Sequence, residues 1–365
     1  MSEWQTFCLK DLGKIVGGAT PPTNNPKNYG NKIRWITAKD LSTLQGRYIK
    51  KGSRSISRLG FKSCSTFLLP KHAILFSVRA PIGYTAIISK RSCTDRGLMG
   101  LVPNKKIYFE FLYYLLKYHK DNISNMGVGT TFKGISKPAL GLFKVKIPPT
   151  YYEQQKIART LSVLDKKIEN NHKINELLHT LAHKVYEYYF KYKPKNAKLE
   201  QIIIENPKSN IMVKNAQKNQ DKYPFFTSGD NTLSYPKAII DGRNCFLNTG
   251  GNAGIKFYVG KASYSTDTWC IGANEFSDYL YLLLSSIKTH INQSFFQGTS
   301  LKHLQKNLLK KYPIYMPSAH EIKKFNQIIM PLLTLISINT RISKRLEQIR
   351  DFLLPLLLKQ QVKPK

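Results

Sequence analysis

Gly129-Thr130-Thr131-Phe132-Lys133 leads through an apolar, strand-like run into Pro149-Thr150-Tyr151-Tyr152-Glu153, and later in the chain Gly298-Thr299-Ser300-Leu301-Lys302 leads the same way into Pro317-Ser318-Ala319-His320-Glu321. The repeat keeps its register over a long span. Phe111-Leu112-Tyr113-Tyr114-Leu115-Leu116 falls on Tyr279-Leu280-Tyr281-Leu282-Leu283-Leu284 at an offset of 168 (279 − 111), and Asn171 falls on Asn339 at the same offset. The Gly-Thr pair is offset by 169 (298 − 129), so one residue slips in the intervening loop. A doubled unit that ends in a doubled helix implies pseudo-twofold architecture.

Each helix opens with a capping box, Thr150 with Glu153 and Ser318 with Glu321, in which the hydroxyl accepts an orphan backbone N–H and the glutamate reaches back. Beyond the caps, apolar residues recur at steps of three and four. One seam is Ile157, Leu161, Leu164, Ile168, Asn171, Asn175, Leu178, Ala182, Val185 and Tyr189; the other is Phe325, Ile328, Leu332, Leu335, Asn339, Ile342, Leu346, Ile349, Leu353 and Leu356. That period predicts left-handed coiled-coil pairing of two helices, each about 37 residues and so roughly 55 Å long. Asn171, Asn175 and Asn339 either select the register inside the seam or lie on an exposed flank. Pro331 is expected to kink or restart the second helix.

Outside the helices, short alternating runs between turn signals read as strands. Ile33-Arg34-Trp35-Ile36, Ala73 to Val78 and Tyr84 to Ile88 precede a helix from Phe109 to about His119. Tyr223 to Asp230, Cys245-Phe246-Leu247 and Lys256 to Val259 echo that plan. The fold class is α+β in both halves.

With 57 Lys+Arg against 22 Asp+Glu, the formal net charge of the 365-residue chain is +35, which points to a polyanionic partner. The excess concentrates in residues 1–150, net +19 (25 − 6), against +5 (13 − 8) for residues 200–315. Cys8, Cys64, Cys93, Cys245 and Cys270 form no paired motif, so neither a zinc site nor a disulfide framework is expected. No signal-peptide pattern or membrane-spanning run is present, which predicts a cytoplasmic protein with no membrane partner.

Catalytic constellations are missing from the pattern. No Asn-Pro-Pro-Tyr or Asp-Pro-Pro-Tyr motif suits a methyltransferase, and no Gly-Lys-[Ser/Thr] closes Gly250-Gly251-Asn252-Ala253-Gly254 into a phosphate loop. Thr94-Asp95 and Thr266-Asp267 occupy corresponding places and read as turn caps. A stand-alone nuclease or methyltransferase would show activity without partners, and a protein-only scaffold would show no sequence-dependent DNA protection.

Glu153-Gln154-Gln155-Lys156-Ile157-Ala158, Leu164-Asp165-Lys166-Lys167-Ile168-Glu169-Asn170-Asn171, Ile147-Pro148-Pro149 and Gly17-Gly18-Ala19-Thr20-Pro21 resemble the specificity subunits of type I restriction–modification systems. Ile322-Lys323-Lys324 departs from the Gln-x-x-Ile usual after the second glutamate. The resemblance implies two similar target-recognition domains, 1–149 and 193–316, separated by antiparallel spacer helices, 150–192 and 317–360. It implies no enzyme activity in this chain: each domain reads one half of a split double-stranded DNA target, and the helices set the spacing. Two modification (methyltransferase) subunits per chain are expected beside the helices, with restriction subunits able to join. S-adenosylmethionine, ATP and magnesium are expected on those partners, and no cofactor or metal here.

Specificity then requires side chains at base edges, with Lys and Arg on phosphates. The candidates in the first half are Lys50, Lys51, Arg54, Arg58, Lys62, Arg79, Arg91, Arg96, Thr130, Thr131 and Lys133. In the second they are Asn231, Arg243, Asn248, Asn252, Lys256, Lys261, Thr299, Ser300 and Lys302.

Overall fold

The computed structural model describes residues 3–79, 81–129, 133–216 and 222–364. The chain divides into two compact units, Met1–Asn170 with Ser343–Lys365, and Asn171–Ile342.

In the first unit a five-stranded sheet runs β2 (Gly13–Gly17), β9 (Leu98–Pro103), β6 (Ile74–Ser77), β7 (Thr85–Ile88), β4 (Tyr48–Ile49). A smaller sheet has β3 (Tyr29–Ile36) between β5 (Arg54–Ile56) and the parallel β8 (Cys93–Thr94), and β1 (Gln5–Cys8) pairs with β10 (Lys144–Ile147). Helix α1 (Phe109–Tyr118) covers the larger sheet, and its Phe111, Leu112, Leu115 and Leu116 are buried with Ile74, Phe76 and Leu101.

The second unit repeats this plan. β11 (Ala197–Lys198) pairs with β19 (Pro313–Ile314) as β1 does with β10. The sheet β12 (Ile204–Glu205), β18 (Thr268–Gly272), β15 (Arg243–Asn248), β16 (Ile255–Val259) matches β2-β9-β6-β7. β13 (Tyr223–Phe226) lies between β14 (Leu233–Tyr235) and the parallel β17 (Ser263–Tyr264), and α3 (Ser277–Ser286) takes the place of α1. A shared order of antiparallel and parallel pairings in both halves is what one duplicated α+β unit produces.

Helices α2 (Tyr151–Phe190) and α4 (Ala319–Leu358) are each 40 residues long. Their caps are those expected: Glu153 N–H donates to Thr150 Oγ1 at 3.2 Å, and Glu321 N–H to Ser318 Oγ at 3.3 Å. The Ser318 backbone N–H also donates to the Glu321 carboxylate, which is held down to about 2 chiefly by that bond. Ser318→Ala is therefore expected to cost ~1 kcal/mol in a denaturant titration. Because the folded pKa is depressed, the Glu321 contribution is present above its ordinary value of 4.5 and fades as pH falls toward 2.

Within the first unit, Ile157, Ala158 and Leu161 of α2 share a core with Leu354, Leu357 and Leu358 of α4. Within the second, Ala182, Tyr186 and Phe190 share one with Ile322, Phe325, Ile329, Leu333 and Ile336. Asn339 Nδ2 donates to Asn175 Oδ1 at 2.9 Å across the helix pair, which resolves the asparagines' role: these two lock the register. Asn171 and Leu178 are half-buried beside them.

Two expectations for α4 are corrected. It does not restart at Pro331 but is helical from Ala319 through Leu358, since a long, well-packed helix absorbs one missing N–H. Its buried stripe is only half the anticipated one: Phe325 and Asn339 are buried and Leu332 and Leu353 pack against the cores, but Ile328, Leu335, Ile342 and Ile349 are 40–46% exposed, and Ile329, Leu333 and Ile336 are buried instead. The seven-residue repeat drifts ~20° per heptad from a straight helix, and the buried face follows the 3.6-residue period of packing onto the domain core.

Candidate nucleic-acid interface

The repeated Gly-Thr segment ends on the same scaffold in both units. In the first, Ile135 N–H donates to Val78 O at 2.9 Å and Val78 N–H to Gly97 O at 2.9 Å, which joins Ile135 to the carboxyl end of β6 and the Asp95–Gly97 turn. In the second, Leu304 N–H donates to Thr249 O at 3.0 Å and Gly251 N–H to Lys302 O at 2.9 Å, at the carboxyl end of β15. Thr249 Oγ1 donates to the Asp267 carbonyl at 2.7 Å and closes the equivalent turn. Asp95 caps its own turn, accepting from Gly97 N–H at 3.0 Å, and burial pushes its carboxyl above the ordinary value.

Arg79, Arg96 and Lys133 are all exposed on this loop cluster of the first unit. Lys50, Lys51 and Arg54 join it through Asp40, whose Oδ1 accepts Ser53 N–H at 2.8 Å, while Asp95 N–H bonds Ile36 O at 3.0 Å. The Arg54 guanidinium lies over the Tyr29 ring at 4.1 Å, so its planar fork is oriented before any ligand arrives. Arg58 and Lys62 sit farther off on the short helix Arg58–Lys62. Arg91 follows β7 at the opposite end of the sheet and does not join the group. Thr130 and Thr131 lie outside the described residues.

In the second unit Asn231, Asn252, Thr299, Ser300 and Lys302 are exposed. Three other candidates are corrected. Arg243 is turned inward, bonded to the buried Asp278 carboxylate, to Thr334 Oγ1 at 2.9 Å and to Met330 O at 3.2 Å. Lys256 donates to the carbonyls of Thr227 and Gly229 and braces that loop, and burial lowers its pKa. Asn248 is buried at 6% exposure with its amide on Asn252 O at 3.1 Å, so it shapes the turn instead of facing a base edge. Each sits on a strand flanked by the core, where a polar group must find an internal partner. Lys261 is exposed at the far end of the sheet, next to the turn that Gly260 N–H closes on Gly242 O at 2.9 Å.

Arg47 was invisible in the sequence. It is fully buried, with Nη1 3.1 Å from Glu110 and Nε 3.2 Å from Glu169. The signal that could have found it is a pair of acids in repeat register, Glu110 and Asp278 (278 − 110 = 168), inside apolar helices of an acid-poor chain.

Residues 1–180 and 195–348 match the type I restriction modification DNA specificity domain. The chain belongs to the type I restriction–modification specificity subunits. It is 30% identical to the MjaIX specificity subunit of Methanocaldococcus jannaschii over 97% of this chain and 92% of that one. It is also 24% identical to a putative type I specificity subunit of Mycoplasma genitalium over 75% and 72% of the two chains. A crystal structure of a type I restriction–modification S subunit from M. genitalium shares the fold at TM-score 0.64 and 18% identity, covering 97% and 96% of the chains. As a specificity subunit the protein supplies DNA recognition and is not itself catalytic. No helix among the described residues is long and apolar enough to cross a membrane, and no described group of His, Cys, Asp and Glu is arranged to hold a metal.

Proposed function

We propose that the subunit reads a split double-stranded DNA target, one half per globular unit, while α2 and α4 set the separation and carry two modification subunits. The observation that supports it most is the duplicated scaffold that carries Ile135 and Leu304, with exposed Arg79, Arg96 and Lys133 on one copy and Lys302, Thr299, Ser300 and Asn252 on the other. Cations there align the duplex through phosphates, while Arg54 and the asparagines present donors to base edges.

Support for two partners comes from the helices. Ile174, Leu181 and Tyr188 of α2 are 43%, 47% and 86% exposed, and Ile342 and Ile349 of α4 stand in the same repeat positions as Ile174 and Leu181. One unpartnered apolar stripe in each copy suits one docking helix on each. On this reading S-adenosylmethionine, ATP and magnesium belong to the partner subunits, including any restriction subunits.

Two measurements test the proposal. Lys133→Ala with Arg79→Ala in the assembled complex is expected to weaken binding to all DNA sequences alike and to reduce the salt slope by ~1 per lost phosphate contact; a changed sequence preference with an unchanged slope would contradict the assignment. Leu177→Glu, at a site 71% exposed beside the α2 stripe, is expected to shift stability by less than ~0.5 kcal/mol yet weaken assembly with modification subunits. Unimpaired co-purification of the complex would remove the docking role.

A further inference from the structure

Both units fasten their globular part to the helices through an arginine guanidinium, fully buried in the first unit and half-buried in the second. In the first, Arg47, 2% exposed at its side chain, reaches Glu110 of α1 at 3.1 Å and Glu169 of α2 at 3.2 Å, and its backbone N–H donates to Glu169 at 2.9 Å. Tyr114 donates to Asp165 of α2 at 2.5 Å, and Arg350 of α4 donates to the other oxygen of Asp165 at 2.7 Å. One network therefore joins the edge strand β4, α1, α2 and α4. In the second unit Arg243 of β15 holds Asp278 of α3 together with Thr334 and the Met330 carbonyl of α4.

The two junctions correspond in detail. Glu110 and Asp278 occupy one repeat position, and Glu169 and Ser337 another (337 − 169 = 168). Glu169 accepts the backbone N–H of Arg47 beside the edge strand β4, and Ser337 accepts that of Val259 at the edge strand β16, at 3.1 Å. The arginine itself comes from different places in the two halves, Arg47 from the bend just before β4 and Arg243 from β15.

Apolar seams tolerate small rolls and slides, whereas a buried planar fork with several fixed acceptors has one satisfied geometry. A buried ion pair adds little net stability over an apolar replacement, so directional definition is the better account of why charge is retained here. We propose that Arg47, with Glu110, Asp165 and Glu169, and Arg243, with Asp278, are positioning residues that fix the angle of each recognition domain on the helices and so restrict the spacing between the two half-sites. This inference rests on the split-target reading.

The test uses the full complex with its modification subunits and a DNA library in which the half-sites are separated by the native spacing or by one base pair more or fewer. Arg47→Lys keeps the charge and loses the fork; Tyr114→Phe keeps shape and removes one bond to the cluster; Arg243→Lys probes the second unit. Each is expected to reduce the preference for native over altered spacing, by about tenfold for the lysine variants, the scale of one lost charge-assisted hydrogen bond, with unchanged half-site sequences. Equal loss of methylation at every spacing, in the lysine variants and in Tyr114→Phe, would show a purely structural role and overturn the inference. A wild-type complex indifferent to spacing would remove the split-target reading and this inference with it; a spacing-selective wild type with unaltered variants would remove the inference alone.

Discussion

Leu161→Glu is expected to destabilise the first unit by at least ~4 kcal/mol, as a large loss of the denaturant midpoint and failure to assemble with partner subunits. Leu161 is 0% exposed and packs in one core with Ile157, Phe111, Leu354 and Leu357, which joins α2, α1 and α4. Truncation alone would forfeit the transfer term and leave a cavity; a carboxylate adds desolvation with no cation at hand. Relief through Arg47 or Arg350 is closed, since both already serve Asp165, one turn along α2, and a second acid there would repel the first. Ile349→Glu, on the exposed stripe of α4, is the contrast: its side chain stays in water and folding should be nearly unaffected. A midpoint for Leu161→Glu within error of wild type would show that the helix pair is not the core described here.

Raising salt from 50 to 200 mM is expected to weaken DNA binding by the assembled complex by ~10³–10⁵, as ~6–10 phosphate contacts imply. The net charge of +35 overstates what can reach phosphates, because Arg47, Arg243 and Arg350 are tied to buried acids and Lys256 to carbonyls. The exposed cations of the first unit, Lys50, Lys51, Arg54, Arg79, Arg96 and Lys133, remain, and six contacts there alone reach the lower end of that range. A flat salt response would mean that the basic surface is not the DNA surface.

Features carried by local chemistry were legible in the sequence. The capping boxes at Thr150 and Ser318 and the doubled strand plan follow from spacing, because a cap depends on near neighbours and a repeat can be matched position by position; the role of the asparagines stayed open, since Asn175 and its partner Asn339 lie 164 residues apart. Which face of α4 is buried was not, since Ile328 and Ile329 fit an apolar period equally well and only packing onto the domain chooses between them. Arg243 and Lys256 looked like ligands for DNA because a cation in a sequence carries no sign of its partner; Asp278 lies 35 residues away and the Thr227 carbonyl 29. Arg47 escaped for the same reason, its partner Glu169 being 122 residues distant.

The most direct test of two independent readers on one spacer is an exchange. Residues 193–316 are replaced by the corresponding segment of another specificity subunit, and methylated adenines are mapped in cells that carry the hybrid with its modification subunits. One half of the target should change while the other half keeps its sequence. A hybrid that alters both halves, or neither, would contradict the division of recognition between the two units.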